Sequence, residues 1–269
     1  MSPKTTKNKY RISVLLDLTK ASETILTNAV QLAKAIDGSV AVFHVKPALS
    51  LVDRESQLSA IRNIRDQEKN TLNTLQQLVN TVGEQENITI PFTMASGNVK
   101  NRIQTYIAEE KPDILVLGKP RSRTNLLGAS ITDFVVDKIN THVLIMVEDH
   151  KLDTFKGLSL GIFGNTLPKN GQDIISDLKQ DNDKPIRVFQ IKSQQSSHTE
   201  SETAAQHKTI DYVFTEGANA LDSLVKYVHR TNTELLCIPK GNKKTFAFKS
   251  NPSKEVLRKS DVPILIMGS

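Results

Sequence analysis

Short apolar runs alternate along this chain with stretches whose apolar residues recur at helical spacing. Ile12–Leu16 is the first run and ends in Asp17; after it Ile25, Ala29, Leu32, Ala33 and Ile36 mark a helix that stops before Gly38. Ser39–Val45 reads as the second strand, with Val40, Val42 and His44 alternating against Ala41, Phe43 and Val45, and Pro47 closing it. Between Asp53 and Val82, the positions of Leu58, Ile61, Leu72, Leu75, Val79 and Val82 predict a long amphipathic helix that covers its own sheet. Ile88–Met94 reads as a third strand, and Gly97 precedes a helix through Ile103, Ile107 and Ala108. Ile114–Leu117 and Val143–Val147 are the fourth and fifth strands, joined by a glycine-opened loop and a helix starting near Ser130.

The chain then repeats itself. DILVLGK, from Asp113, aligns with ELLCIPK, from Glu234; HVLIMV, from His142, aligns with PILIMG, from Pro263, with no gap between. The second copy is shorter. Where the first has its long helix, the second has KSQQSSHTESETAAQHK, which reads as a surface loop or a short frayed helix. Its strands are expected at Leu158–Phe163, Ile186–Ile191 and Ile210–Phe214, with a helix through Leu221, Leu224, Val225 and Val228. Gly164 is taken as the counterpart of Asp17, so the carboxylate is missing from the second copy. In its second loop Pro239 stands for Gly118 and Lys249 for Gly128, so the glycines are gone, and Pro252 after Asn251 reads as a helix start.

Strands alternating with helices predict an α/β fold: two tandem, doubly wound parallel sheets, over residues 1–149 and 150–269. With strand order 3-2-1-4-5, the order reverses between the first and fourth strands, and a ligand crevice opens at their carboxyl ends. Asp17 and Gly118 would face each other there although they are far apart in sequence.

Composition adds mainly exclusions. A net charge of +6 permits anionic ligands, but no arginine patch interleaved with aromatics points to specific nucleic-acid binding. No apolar run has the length of a membrane span, and the basic start MSPKTTKNKYR lacks the apolar core of a signal peptide, so a cytoplasmic location is expected. The single cysteine, Cys237, sits in an apolar run and reads as a small core residue. No nucleophile elbow, zinc-protease helix or phosphate-binding Walker loop is present, no His/Cys/Asp/Glu cluster has metal-ligand spacing, and His44 reads as a core residue.

Five features together resemble the universal stress protein (UspA-like) family. They are Val14–Asp17 with its Ser/Thr-containing helix start, AVQLAKAIDGSVAVFHV, Gly97 before a helix, PDILVLG, and LLGASITDFVV before a strand. The resemblance covers nearly the whole chain and implies a tandem member of two five-stranded sheets of the adenine-nucleotide alpha-hydrolase-like kind. It also implies that these dock through their fifth strands as a pseudo-dimer within one chain, with a further homodimer left open. ATP-binding members carry an aspartate after the first strand and a G-x2-G-x9-G-[ST] loop after the fourth. Asp17 matches the aspartate and Gly118 the first glycine, while Arg121 replaces the second. The loop closes either on Gly128, with Ala129 in place of the hydroxyl residue, or on Ala129-Ser130; on the first reading it is shorter than the family pattern. Lys119, Arg121 and Arg123 could neutralise phosphates with side chains where the backbone cradle is lost. Val45 and Ile131 complete the site that the resemblance implies, around ATP as the possible ligand. The expected function is a non-catalytic, stress-response binding or regulatory module with unidentified protein partners, weakened nucleotide binding in the first copy, and a structural second copy. Slow ATP hydrolysis or phosphoryl handling in the first crevice, or binding of another small anionic or apolar ligand, are the alternatives.

Overall fold

Both copies contribute to one ten-stranded sheet in the computed structural model, which describes residues 8–48, 57–119, 131–147, 152, 154–164, 167–192, 207–217, 219–240 and 252–268. The first copy supplies β1 (Tyr10–Leu16), α1 (Ser22–Ile36), β2 (Gly38–Pro47), α2 (Gln57–Glu86), β3 (Phe92–Gly97), α3 (Val99–Glu110), β4 (Ile114–Gly118), α4 (Ile131–Lys138) and β5 (His142–Met146). The second supplies β6 (Leu160–Phe163), α5 (Lys169–Lys179), β7 (Ile186–Lys192), β8 (Thr209–Thr215), α6 (Ala220–Arg230), β9 (Leu235–Pro239), α7 (Pro252–Lys259) and β10 (Ile264–Met267). The strand order is β3-β2-β1-β4-β5-β10-β9-β6-β7-β8, so each copy has the 3-2-1-4-5 order and the fifth strands meet in the middle.

That seam is the one antiparallel pairing in the sheet among the described residues. Leu144 faces Leu265, flanked by Ile145 against Ile264 and Val143 against Ile266, a register that maps onto itself when the copies are exchanged. The pairing satisfies two apolar strands that would otherwise be edges. The hydrophobic core divides by sheet face and not by copy. Ile12, Val14, Leu144, Cys237 and Leu265 share one face; Leu115, Leu117, Ile145, Ile238 and Ile266 share the other. The connector packs too: Phe155 is fully buried, and the Leu152 amide donates to Asn28 Oδ1 of α1 at 2.9 Å. Asp177 of α5 accepts from both Lys9 and the Tyr10 hydroxyl, tying the second copy's first helix to β1.

Three sequence expectations shift. The third strand begins at Phe92, not Ile88, because Pro91 has no N–H for the ladder; its carbonyl instead takes the Val42 amide at 2.9 Å. Helix α5 was not foreseen, although Ile174, Ile175 and Leu178 form its buried face. The third is a register correction. Leu160 pairs with Leu235 as Ile12 pairs with Ile114, which makes Gly164 the counterpart of Leu16. Asn165 therefore takes the place of Asp17, and it lies outside the described residues. The strand LGIF is buried throughout, so no in–out alternation marks its register.

Candidate functional site

Strand order places the site. β1 and β4 are neighbours, and beyond their carboxyl ends lies a crevice of about 340 Å³. Asp17, Val45, Gly118 and Ile131 all line it, so four residues expected from the sequence are brought together. Arg121, Gly128 and Ser130 lie outside the described residues. The walls also include Pro47 at the end of β2, Val99 and Ile103 of α3, and Thr132 of α4. None of the first three carries a motif. Their signal was positional, since each follows from the end of β2 or the start of α3 arriving at the same sheet edge.

Asp17 is held by the turn it opens. Its Oδ1 accepts from the Thr19 amide at 3.2 Å, the Thr19 hydroxyl at 2.9 Å and the Ser22 hydroxyl at 3.3 Å. The second oxygen, Oδ2, has no partner in these contacts, and the residue is exposed. Leu18 between them has φ of 58°, a left-handed conformation unfavourable for a branched side chain. The carboxylate is thus fixed through one oxygen at the wall of the crevice. Behind it, His44 is buried with Nδ1 at 2.7 Å from the Leu16 carbonyl, a core role as expected.

Gly118 eases the packing of α1. A Cβ there would stand 2.6 Å from Ile25 Cδ1, another wall of the crevice, so the glycine lets α1 close against the end of β4. Lys119, expected near phosphate, lies against the second copy. Its ammonium donates to the Ser260 carbonyl at 2.6 Å and lies 3.4 Å from that of Arg258, at the C-terminal end of α7 in the second copy. Lys240, which occupies the matching position after β9, donates in turn to the Ile139 carbonyl at the end of α4. Carbonyls at helix C-termini lack intrahelical donors and sit at the negative pole of the dipole, which explains why both lysines cross the seam. Sequence reading missed this exchange because it pairs residues more than a hundred positions apart.

Electrostatics elsewhere point away from further chemistry. Burial pushes the Cys237 thiol up to about 12, so this cysteine packs and does not react. Among the described residues no group of three His, Cys, Asp or Glu side chains could hold a metal ion, and no helix is long and apolar enough to cross a membrane.

The family model described as "Universal stress protein family" matches residues 10–147. A universal stress protein from Archaeoglobus fulgidus superposes with a TM-score of 0.71 at 13% identity, with 96% of each chain covered. A functionally unknown protein from Pseudomonas aeruginosa gives 0.59 at 12% identity, covering 96% of this chain and 92% of that one. At such identities the shared property is the fold. No curated protein sequence matches the chain.

Proposed function

Because the chain belongs to the universal stress protein family, we propose that it is a non-catalytic regulatory module whose first crevice takes an adenine nucleotide and whose second copy serves as scaffold. The observation that carries this reading is the single cavity into which Asp17, Val45, Gly118 and Ile131 converge. Its volume of about 340 Å³ falls at the small end of the range for ligand pockets. Val45, Pro47, Val99 and Ile103 offer apolar surface to a planar base, and Asp17 Oδ2 offers an acceptor to its donors. Phosphates would extend from Gly118 toward the start of α4. With Lys119 held at the seam, that end has one cation fewer than the sequence suggested, which favours modest affinity. In the crevice the Thr19 hydroxyl is engaged by Asp17 Oδ1 and His44 Nδ1 by the Leu16 carbonyl, and the reading is of a binding switch that acts on protein partners in the cytoplasm.

A thermal shift with millimolar ATP and magnesium tests it. At a hundredfold over Kd, binding to the native state alone stabilises by about 2.7 kcal/mol. The reading requires a saturable shift that Asp17→Ala removes. An unchanged melting temperature across the concentration range would overturn it.

A further inference from the structure

The helix that walls the crevice is held from the other copy. α4 begins at the crevice, where Ile131 and Thr132 line the cavity, and it is a single rigid piece of eight residues. At a rise of 1.5 Å per residue its two ends are about 12 Å apart. The last turn closes with the Ile139 amide on the Val135 carbonyl at 3.0 Å, and the carbonyl of Ile139 is then taken by the ammonium of Lys240. A second cross-copy contact, Lys254 to Asp137 Oδ2 at 2.6 Å, grips the same turn from α7. So the last turn of the helix that walls the crevice is contacted by two cations of the copy without the carboxylate.

We propose that Lys240 is a positioning residue for the first copy's crevice: by clasping the C-terminal carbonyl of α4 across the seam, it fixes the wall formed by Ile131 and Thr132 and couples ligand binding to the docking of the two copies. Lys240 is partly buried, and burial lowers its pKa while the nearby Asp137 carboxylate raises it; the cation is kept in a place where only a dedicated acceptor repays its desolvation. The clasp is reciprocal in space but not in consequence. Lys119 restrains α7 in the same way, yet α7 faces a copy in which Pro239 replaces the crevice glycine. Linkage makes the coupling mutual: a ligand that favours the seated position of α4 also strengthens the seam by the same factor.

The nucleotide half of this inference rests on the function proposed above, so the test has one readout that needs no ligand. In the full-length chain, Lys240→Met keeps the stem and removes the charge. Amide hydrogen exchange in α4, at Val135, Val136 and Ile139, is expected to accelerate by about tenfold or more, the scale of a lost charge-assisted hydrogen bond, while α6 is unchanged. Lys119→Met should loosen α7 and leave α4 protected. Titration with ATP and magnesium should show weaker binding to Lys240→Met by several-fold, restored in Lys240→Arg, which still carries a donor cation. Unchanged exchange in α4 overturns the proposal, whether or not ATP binds. Faster exchange with unchanged ATP affinity also overturns it, since the wall would then move without consequence. If the wild type binds no ATP, the nucleotide reading fails separately and the exchange pattern alone decides the clasp.

Discussion

The two copies share a strand order but use the face above β2 and β7 in opposite ways. In the first copy the sheet edge is built from small residues, Thr93 and Ala95 on β3, and Phe43 stacks on Tyr106 at 4.1 Å. Tyr106 is buried and its hydroxyl lies 3.0 Å from Ser13 Oγ, close enough to hydrogen-bond. The second copy places Tyr212 and Phe214 at the matching positions of β8, where Tyr212 stacks on Phe189 at 5.3 Å and Phe214 meets Tyr227 edge-on at 5.4 Å. Gly161 stands where Ser13 does, and a Cβ there would come within 3.0 Å of Phe189 Cε2. One copy keeps a polar anchor and leaves room beside Val45. The other lacks the anchor and lays half-buried rings along the matching strand. A duplicated fold can thus retain its docking strand while the same face of the sheet carries small residues in one half and half-buried rings in the other.

The largest predicted effect falls on what the copies share. Leu144 is fully buried at the centre of the seam, opposite Leu265. Leu144→Ala should cost roughly 2–5 kcal/mol, read by urea denaturation as a lower midpoint, and Leu144→Asp should prevent folding altogether. A loss confined to one copy's spectroscopic or exchange signals would break the idea of a common core.

The next prediction exchanges the copies' character. Ala95→Phe writes the second copy's Phe214 into the first and should crowd the crevice beside Val45, abolishing the ATP-dependent thermal shift while leaving the ligand-free protein within about 1–3 kcal/mol of its original stability. Undiminished binding in this variant would show that a ring at this place on the edge strand does not obstruct the crevice.

Smaller changes sharpen the contrast at the strand ends. Gly118→Ala must displace Ile25, and because the clash is with the far end of a flexible side chain the cost should be about 1–2 kcal/mol, with Ile25 pushed into the cavity and ATP affinity reduced. Pro239→Ala, at the matching place in the second copy, should change affinity not at all. Isothermal titration of the two variants separates them.

The smallest effect is a pH dependence at the other end of the sheet. His142 Nδ1 is buried without a partner among the described residues, and burial lowers the pKa of this imidazole from its ordinary 6.5, against an opposing pull from Asp113. Above that value both the folded and unfolded states hold it neutral; below it the unfolded chain takes the proton first. Stability should therefore fall as pH drops through 6.5 toward the lowered folded value. His207, also lowered by burial and by the nearby Lys179, adds to the same slope. His142→Val should flatten the slope in part, as followed by melting temperature against pH.

Much of this fold was legible because its strands are continuous apolar runs and its helices carry periodic faces. The meeting of the fifth strands followed from the family resemblance and from the need of two apolar strands, HVLIM and ILIM, for a partner; their antiparallel sense came from the structure. Asp17 and Gly118 could be paired from topology alone. What stayed hidden shares a physical cause: it depends on contacts that no local pattern records. Lys119 looked like a phosphate ligand until its position against α7 was known. LGIF, buried on both sides, gave no alternation to fix which residue replaces Asp17. Pro47, Val99 and Ile103 became site residues only when two elements met at one sheet edge.

The central claim is that the duplicated chain holds one working crevice, in the first copy, anchored by Asp17. Isothermal titration of ATP with magnesium into the wild type and Asp17→Ala measures it most directly. The account predicts one nucleotide per chain, lost or weakened at least about tenfold when the charged acceptor is removed. Two nucleotides per chain, or one that binds Asp17→Ala as well as wild type, would contradict it.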